Sequence, residues 1–250
     1  MCGIVGGIAS HDVVPVLLEG LRRLEYRGYD SAGMAIIDEA GQLNRVRALG
    51  KIKELAEKIS RLRRFSGHAG IAHTRWATHG APEERNAHPH VSGDHVAVVH
   101  NGIIENYQSL KAELESTGYR FTSDTDSEVI AHAIDAGLKR HPGDLLKAVQ
   151  EVVEQLEGAY AIGAVATEQP DVLVAARQGS PLVIGLADEG TYLASDVSAL
   201  LPVTQKFLFL EDGDVALLQR AGVTVYDRNG QVVERPVKIS SLSAASVELG

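Results

Sequence analysis

The sequence predicts an α+β protein in which two sheets pack face to face with helices outside. Two observations and one packing requirement carry this reading. Helical periodicity is confined to the first two-thirds of the chain. From Gly158 onward, short apolar runs follow one another between turn residues. Two packed sheets with outer helices would bury the apolar strand faces on both sides. The 250 residues, 44% hydrophobic and 23% charged, suffice for such a core and exclude a disordered or collagen-like chain.

Residues 2–9 (CGIVGGIA) read as a short, Gly-rich buried strand. Residues 12–24 read as a helix with Val13, Val14, Leu17, Leu18, Leu21 and Leu24 on its apolar face. Pro15 is tolerated there because it falls in the first turn. Residues 33–38 and 43–49 form a hairpin pattern around Glu39-Ala40-Gly41. Residues 51–62 form an amphipathic helix with Ile52, Leu55, Ala56, Ile59 and Leu62 on one side. Apolar runs at 69–72 and 96–99 flank a long irregular stretch rich in His, Pro and Gly, a length that usually marks function or mobility. Residues 106–116 are helical and stop at Gly118. Residues 125–138 open with a capping box, Thr125 and Glu128, and 144–156 form a further amphipathic helix. Strands follow at 159–166, 172–176, 182–186, 191–194, 207–210, 215–218, 223–226 and 232–239. The Ser/Ala-rich stretch 240–250 reads as a linker or a frayed end.

A net charge of −9 argues against general affinity for nucleic acid or an anionic membrane. The basic residues Arg45, Arg47, Lys51, Lys53, Lys58, Arg61, Arg63 and Arg64 read as a solvated helix face, since no aromatics interleave them. No segment is long enough to span a bilayer, and no secretory signal pattern opens the chain, so a cytoplasmic protein is the expectation. One cysteine, Cys2, excludes an intramolecular disulfide and any multi-cysteine metal site.

A lone cysteine is ordinarily a small buried hydrophobe. At position two it has another possibility. Removal of Met1 places a thiol and a free α-amine, with reference pKa values of about 8.5 and about 7.7–8.0, on one residue as nucleophile and base. Asn101-Gly102 follows an apolar strand and is either a hairpin turn or a pair of oxyanion donors, the Asn amide and a Gly N–H that a substrate can approach closely. Seven of the ten histidines lie between His68 and His100, yet no H-x-x-x-H pair and few carboxylates accompany them, which disfavours a metal. Arg75 is a surface arginine or a bidentate carboxylate clamp. Asp126 suits a helix's first turn and also suits a substrate ammonium.

MCGIVG at the start, RLEYRGYDSAG at 23–33, HTRWATHG at 73–80, NAHPH at 86–90, HNGIIENY at 100–107 and SDTDSEVIAH at 123–132 together resemble the class II glutamine amidotransferases. The wording is most similar to the glutaminase domain of the glutamine–fructose-6-phosphate aminotransferases, and the resemblance covers essentially the whole chain. It implies an N-terminal-nucleophile fold, a four-layer α-β-β-α sandwich, and hydrolysis of L-glutamine to glutamate and ammonia without a cofactor or metal. It implies Cys2 as nucleophile with its own amine as base, and Asn101 and Gly102 in the oxyanion hole. It further implies Arg75 on the glutamine carboxylate with help from Thr78 and His79, Asp126 on the ammonium, and Trp76 in a loop that closes the site. Arg27 near Cys2 and His88 are also implicated. It places the glutaminase domain at 2–239 and a linker-like tail at 240–250. The sugar-isomerase half that would bind fructose 6-phosphate, in a homodimeric full-length enzyme, is absent from these residues. Glutaminase halves of amidophosphoribosyltransferase or asparagine synthetase, an N-terminal cysteine hydrolase of other amides, and a silent regulatory domain that retains Met1 are the competing readings.

Overall fold

In the computed structural model, residues 2–77 and 80–247 are described. Fifteen strands are formed among the described residues. They are β1 (Gly3–Ala9), β2 (Ser31–Ile37), β3 (Leu43–Leu49), β4 (Ala69–Arg75), β5 (His90–Ser92), β6 (Val96–Ile104), β7 (Gly158–Ala166), β8 (Leu173–Gln178), β9 (Val183–Ala187), β10 (Gly190–Ala194), β11 (Lys206–Phe209), β12 (Val215–Gln219), β13 (Gly222–Tyr226), β14 (Val232–Val233) and β15 (Val237–Ile239). The helices are α1 (Val14–Leu24), α2 (Ile52–Ser60), α3 (Tyr107–Ser116), α4 (Glu128–Arg140), α5 (Leu145–Val153) and α6 (Ala244–Val247).

The strands form two antiparallel sheets, in the orders β15-β11-β9-β10-β1-β4-β2-β3 and β14-β13-β12-β8-β7-β6-β5. Ile4, Ile8, Ile71 and Leu193 of the first meet Ala97, Val99, Leu173 and Leu218 of the second in a dry layer between them. The outer face of the first sheet packs on α1 and α2 through Leu17, Leu21, Leu24, Ile52 and Leu55. The outer face of the second packs on α3, α4 and α5 through Leu114, Ile130, Ile134 and Val149. The result is the expected α-β-β-α sandwich. Both faces of β1, β4, β7 and β8 are covered, which explains why β1, β7 and the first four residues of β4 and β8 read as apolar runs. No helix among the described residues is long and apolar enough to cross a membrane.

Four readings change. The strand expected at 96–99 runs on through Asn101-Gly102 to Ile104, so this Asn-Gly pair makes no hairpin. The proposed capping box at Thr125 does not form, because α4 begins only at Glu128. Thr125 Oγ1 instead bonds His90 Nε2 at 2.9 Å, and Glu128 reaches back to the N–H groups of Thr122 and Ser123. The single strand expected at 232–239 is split. β14 pairs in one sheet and β15 in the other, with Arg235 between them bonded to Asp214 at 2.8 and 2.9 Å. Pro236, which has no N–H for a ladder, lies at the break. Arg45 and Arg47 belong to β3 rather than to a solvated helix face. Their guanidinium groups donate to the carbonyls of Pro89, Arg85 and Ala87, and burial lowers Arg45 to about 10.

The stretch after β15 turns back onto the domain. Ser240 N–H donates to Gln205 O at 2.8 Å, Gln205 Nε2 to Leu242 O at 2.8 Å, and Arg23 to Ala244 O at 3.4 Å.

Candidate active site

Side chains alternate along a strand, and that alternation builds the site. On β4, Ala69 and Ile71 face the layer between the sheets; His73 and Arg75 are next in the same row. On β6, Ala97 and Val99 face the same layer from the other side, and Asn101 is next. At one end of the sandwich the interlayer thus passes from apolar to polar, and His73 Nε2 meets Asn101 Oδ1 across it at 2.9 Å.

Cys2 arrives there by register. Gly3 of β1 lies opposite Thr74 of β4, so the residue before β1 is carried to the end of β4. Trp76 N–H donates to Cys2 Sγ at 3.2 Å, and Sγ lies 3.4 Å from Trp76 O. Asn101 Nδ2 donates to the Cys2 carbonyl at 3.1 Å. Burial pushes the Cys2 thiol up, while the Trp76 N–H and the Arg75 charge draw it back down.

The edge of β6 completes the constellation. Gly102 and Ile104 stand opposite Tyr160 and Gly158, and the adjoining Glu105 N–H donates to Glu157 O at 2.9 Å. Antiparallel ladders alternate, so the N–H groups of residues 100, 102 and 104 point away from β7. The His100 N–H donates to His88 Nδ1 at 3.3 Å and the Ile104 N–H to Asp126 Oδ2 at 2.7 Å. Gly102 lies between them and lines the cleft. Its φ is +119°, and a Cβ there would lie 2.1 Å from the Ala159 carbonyl oxygen. No side chain fits that position.

These groups line one cleft of about 400 Å³, within the range of small-molecule sites. It brings together Cys2, Arg27, Arg75, Trp76, His88, Asn101, Gly102 and Asp126. Arg75 is no surface residue: it is 3% exposed and donates to Asp30 Oδ1 at 3.5 Å, Ala81 O at 3.2 Å and Gly80 O at 3.1 Å. Asp30 also accepts from the Ala77 N–H, tying the segment after β4 in place. Trp76 is 52% exposed, and its ring lies over Gly28, whose φ of +102° and lack of a Cβ make room for it. Arg27 pairs with Asp196 at 2.5 Å. Asp126 stands two residues before α4, bound to the β6 edge rather than placed in a helix's first turn. Met1, Thr78 and His79 lie outside the described residues.

The His-rich stretch folds into a wall behind Asn101. His73 and His88 stack with centroids 4.1 Å apart and planes 17° apart, and His90 tilts against His88 at 4.6 Å. Burial lowers all three, His73 and His90 to about 3 and His88 well below its usual value, so they are neutral at pH 7. Among the described residues no group of three or more His, Cys, Asp or Glu is placed to hold a metal. Cleft residues that motif reasoning passed over are His100, Ile103, Thr125, Ser127, Ser180, Pro181 and Ser195. Ser195 Oγ accepts the Ile4 N–H at 3.0 Å. The parity of β6 turns the His100 side chain to the helix side, where its Nδ1 meets Ser127 Oγ at 2.7 Å, so the interlayer row that leads to Asn101 does not flag it. Ser180 and Ser195 lie just beyond β8 and β10, remote in sequence, and leave no local signal.

The sequence profile of a family described as "Glutamine amidotransferase domain" matches residues 73–202. The chain is 53% identical over 250 residues to a glutamine–fructose-6-phosphate aminotransferase (isomerizing) of Acidithiobacillus ferridurans, covering 100% of this chain and 41% of that protein. It is 54% identical over 252 residues to the same-named protein of Neisseria meningitidis serogroup B, again at 100% and 41% coverage. It thus spans about two-fifths of the length of these relatives. A solved glutamine phosphoribosylpyrophosphate amidotransferase from B. subtilis superposes with a TM-score of 0.75 at 25% identity, covering 92% of this chain and 50% of that one. The two-sheet sandwich with a thiol at the head of a central strand is the architecture of the N-terminal-nucleophile amidotransferases. The chain belongs to the glutamine amidotransferase domain family.

Proposed function

We propose that this chain hydrolyses L-glutamine to L-glutamate and ammonia through a thioester on Cys2. In this reading it is the ammonia-supplying half of a glutamine–fructose-6-phosphate aminotransferase. The observation that carries the reading is the β6 edge: the Gly102 N–H, between two N–H groups already bound by His88 and Asp126, faces the cleft that holds the Cys2 thiol.

The Cys2 thiolate attacks the side-chain amide carbon, with the α-amine freed by Met1 removal as base. Asn101 Nδ2 and the Gly102 N–H take the charge that develops on oxygen, one such donor being worth about 10²–10³ in rate. The amine passes its proton to the departing nitrogen, which leaves as ammonia. Water then opens the thioester, releasing glutamate and the thiol. Arg75 takes the α-carboxylate, with Thr78 and His79 assisting, and Asp126 takes the α-ammonium. A free amino acid is thereby selected, because a peptide-linked glutamine lacks the matching pair of charges. Trp76 closes over the bound substrate, while Arg27 and His88 shape the wall.

Identity of 53–54% to aminotransferases, against 25% to the phosphoribosylpyrophosphate enzyme, supports the amino-sugar assignment. The relatives' extra length supports a further region in the full-length enzyme. In this reading that region is a following sugar-isomerase half that binds fructose 6-phosphate, and the full-length enzyme is a homodimer. A reactive thiol suits the reducing cytoplasm. The test is intact mass for Met1 loss, paired with ammonia release from L-glutamine. The processed protein turns over and Cys2→Ala does not; sustained turnover by Cys2→Ala refutes the nucleophile.

A further inference from the structure

We propose that His73 is a positioning residue for Asn101, its Nε2–H holding the amide so that Nδ2 is presented to the reacting carbonyl oxygen. The inference rests on the reading of Asn101 as an oxyanion donor and adds what orients it.

The Cys2 carbonyl can only accept a hydrogen bond. The Asn101 side-chain atom 3.1 Å from it must therefore be Nδ2. Oδ1 then faces His73, and since Oδ1 can only accept, His73 Nε2 at 2.9 Å must carry the proton. The contact spans the sandwich, from β4 to β6, and so locks one sheet's donor against the other sheet. One N–H of Nδ2 goes to Cys2 O, and the second remains for a ligand in the cleft. The His73 ring is itself immobilised. It is fully buried and stacked on His88, whose Nδ1 is engaged by the His100 N–H at 3.3 Å. Without the Nε2–H, the amide loses the partner that opposes rotation about its last torsion, which is soft. Preorganised donors are effective because they need no reorganisation during reaction.

His73→Phe keeps a stacking ring and removes the donor, whereas His73→Gln restores an N–H. For His73→Phe, kcat for ammonia release falls by roughly 10- to 1000-fold while KM for glutamine stays within about threefold, because the lost interaction belongs to the transition state. His73→Gln recovers at least about tenfold of that loss. A kcat for His73→Phe equal to that of the unmodified protein, or a KM rise that accounts for the whole change, overturns the proposal. ¹⁵N spectra of the histidines in the unmodified protein supply an arm independent of turnover and of how the variants fold. They are expected to show His73 as the Nε2–H tautomer between pH 5 and about 8; the Nδ1–H tautomer overturns the proposal. Absence of ammonia release by the processed, unmodified protein refutes the glutaminase reading instead, and leaves the tautomer result to judge the His73–Asn101 contact.

Discussion

Gly102→Ala tests the strand edge on which the chemistry is placed. The backbone there has φ +119°, a conformation open to glycine and costing an L-residue about 1–3 kcal/mol. The added methyl would lie 2.1 Å from Ala159 O and 2.7 Å from its carbonyl carbon. These are backbone atoms of the paired strand, so β6 and β7 must part locally. With conformational strain and overpacking each costing about 1–3 kcal/mol, the expected loss is about 3–5 kcal/mol. In a domain of this size that lowers Tm by roughly 6–20 °C, at about 2–4 °C per kcal/mol. Much of the protein then stays folded at 25 °C, where a stability of about 5–15 kcal/mol is usual. In that folded fraction the residue-102 N–H is displaced, and ammonia release falls by about 10²–10³. Urea unfolding and steady-state ammonia release on the same sample check both parts. A variant with unchanged stability and full turnover refutes the assignment of residue 102 to a close-packed oxyanion edge.

Two further outcomes follow from the same geometry. Asp126→Asn keeps an acceptor for the Ile104 N–H but loses the charge facing the cleft. Replacing a charged by a neutral acceptor costs about 1–2 kcal/mol, so KM for glutamine rises roughly 5- to 30-fold with the fold intact; an unchanged KM removes Asp126 from the ammonium site. Stability falls on mild acidification, because His73, His88 and His90 are held below 6.5 in the folded protein and bind protons on unfolding. Their contribution is complete above pH 6.5 and is lost as pH falls toward about 3. Between pH 7 and pH 5.5 each unfolded histidine gains about 1.3 kcal/mol of protonation free energy, or roughly 4 kcal/mol for three. Urea unfolding at the two pH values measures this, and equal stability at both contradicts neutral burial of the histidine wall.

Most of the layered fold is legible in the chain. Leu17, Leu21 and Leu24 recur at helical spacing and are buried. Continuous apolar runs in β1, β4 and β7 announce strands covered on both faces. Errors fall where tertiary contacts outbid local chemistry. Thr125 and Glu128 have a cap's spacing, but His90 and the 122–123 backbone claim their side chains. Arg45 and Arg47 look solvated until the loop at 85–89 lies over them.

The site divides in the same way. Residue identity and strand parity suffice to nominate Cys2, Arg75 and Asn101, since chemistry-bearing side chains interrupt or extend apolar rows whose direction is already set. Parity says nothing about which strand a residue will meet. That Cys2 reaches Trp76, that His73 on one sheet grips Asn101 on the other, and that Asp126 binds the β6 edge all depend on register and on sheet-to-sheet packing. These contacts join residues 74, 28 and 22 positions apart, and a local pattern of period two or 3.6 carries no information at such separations.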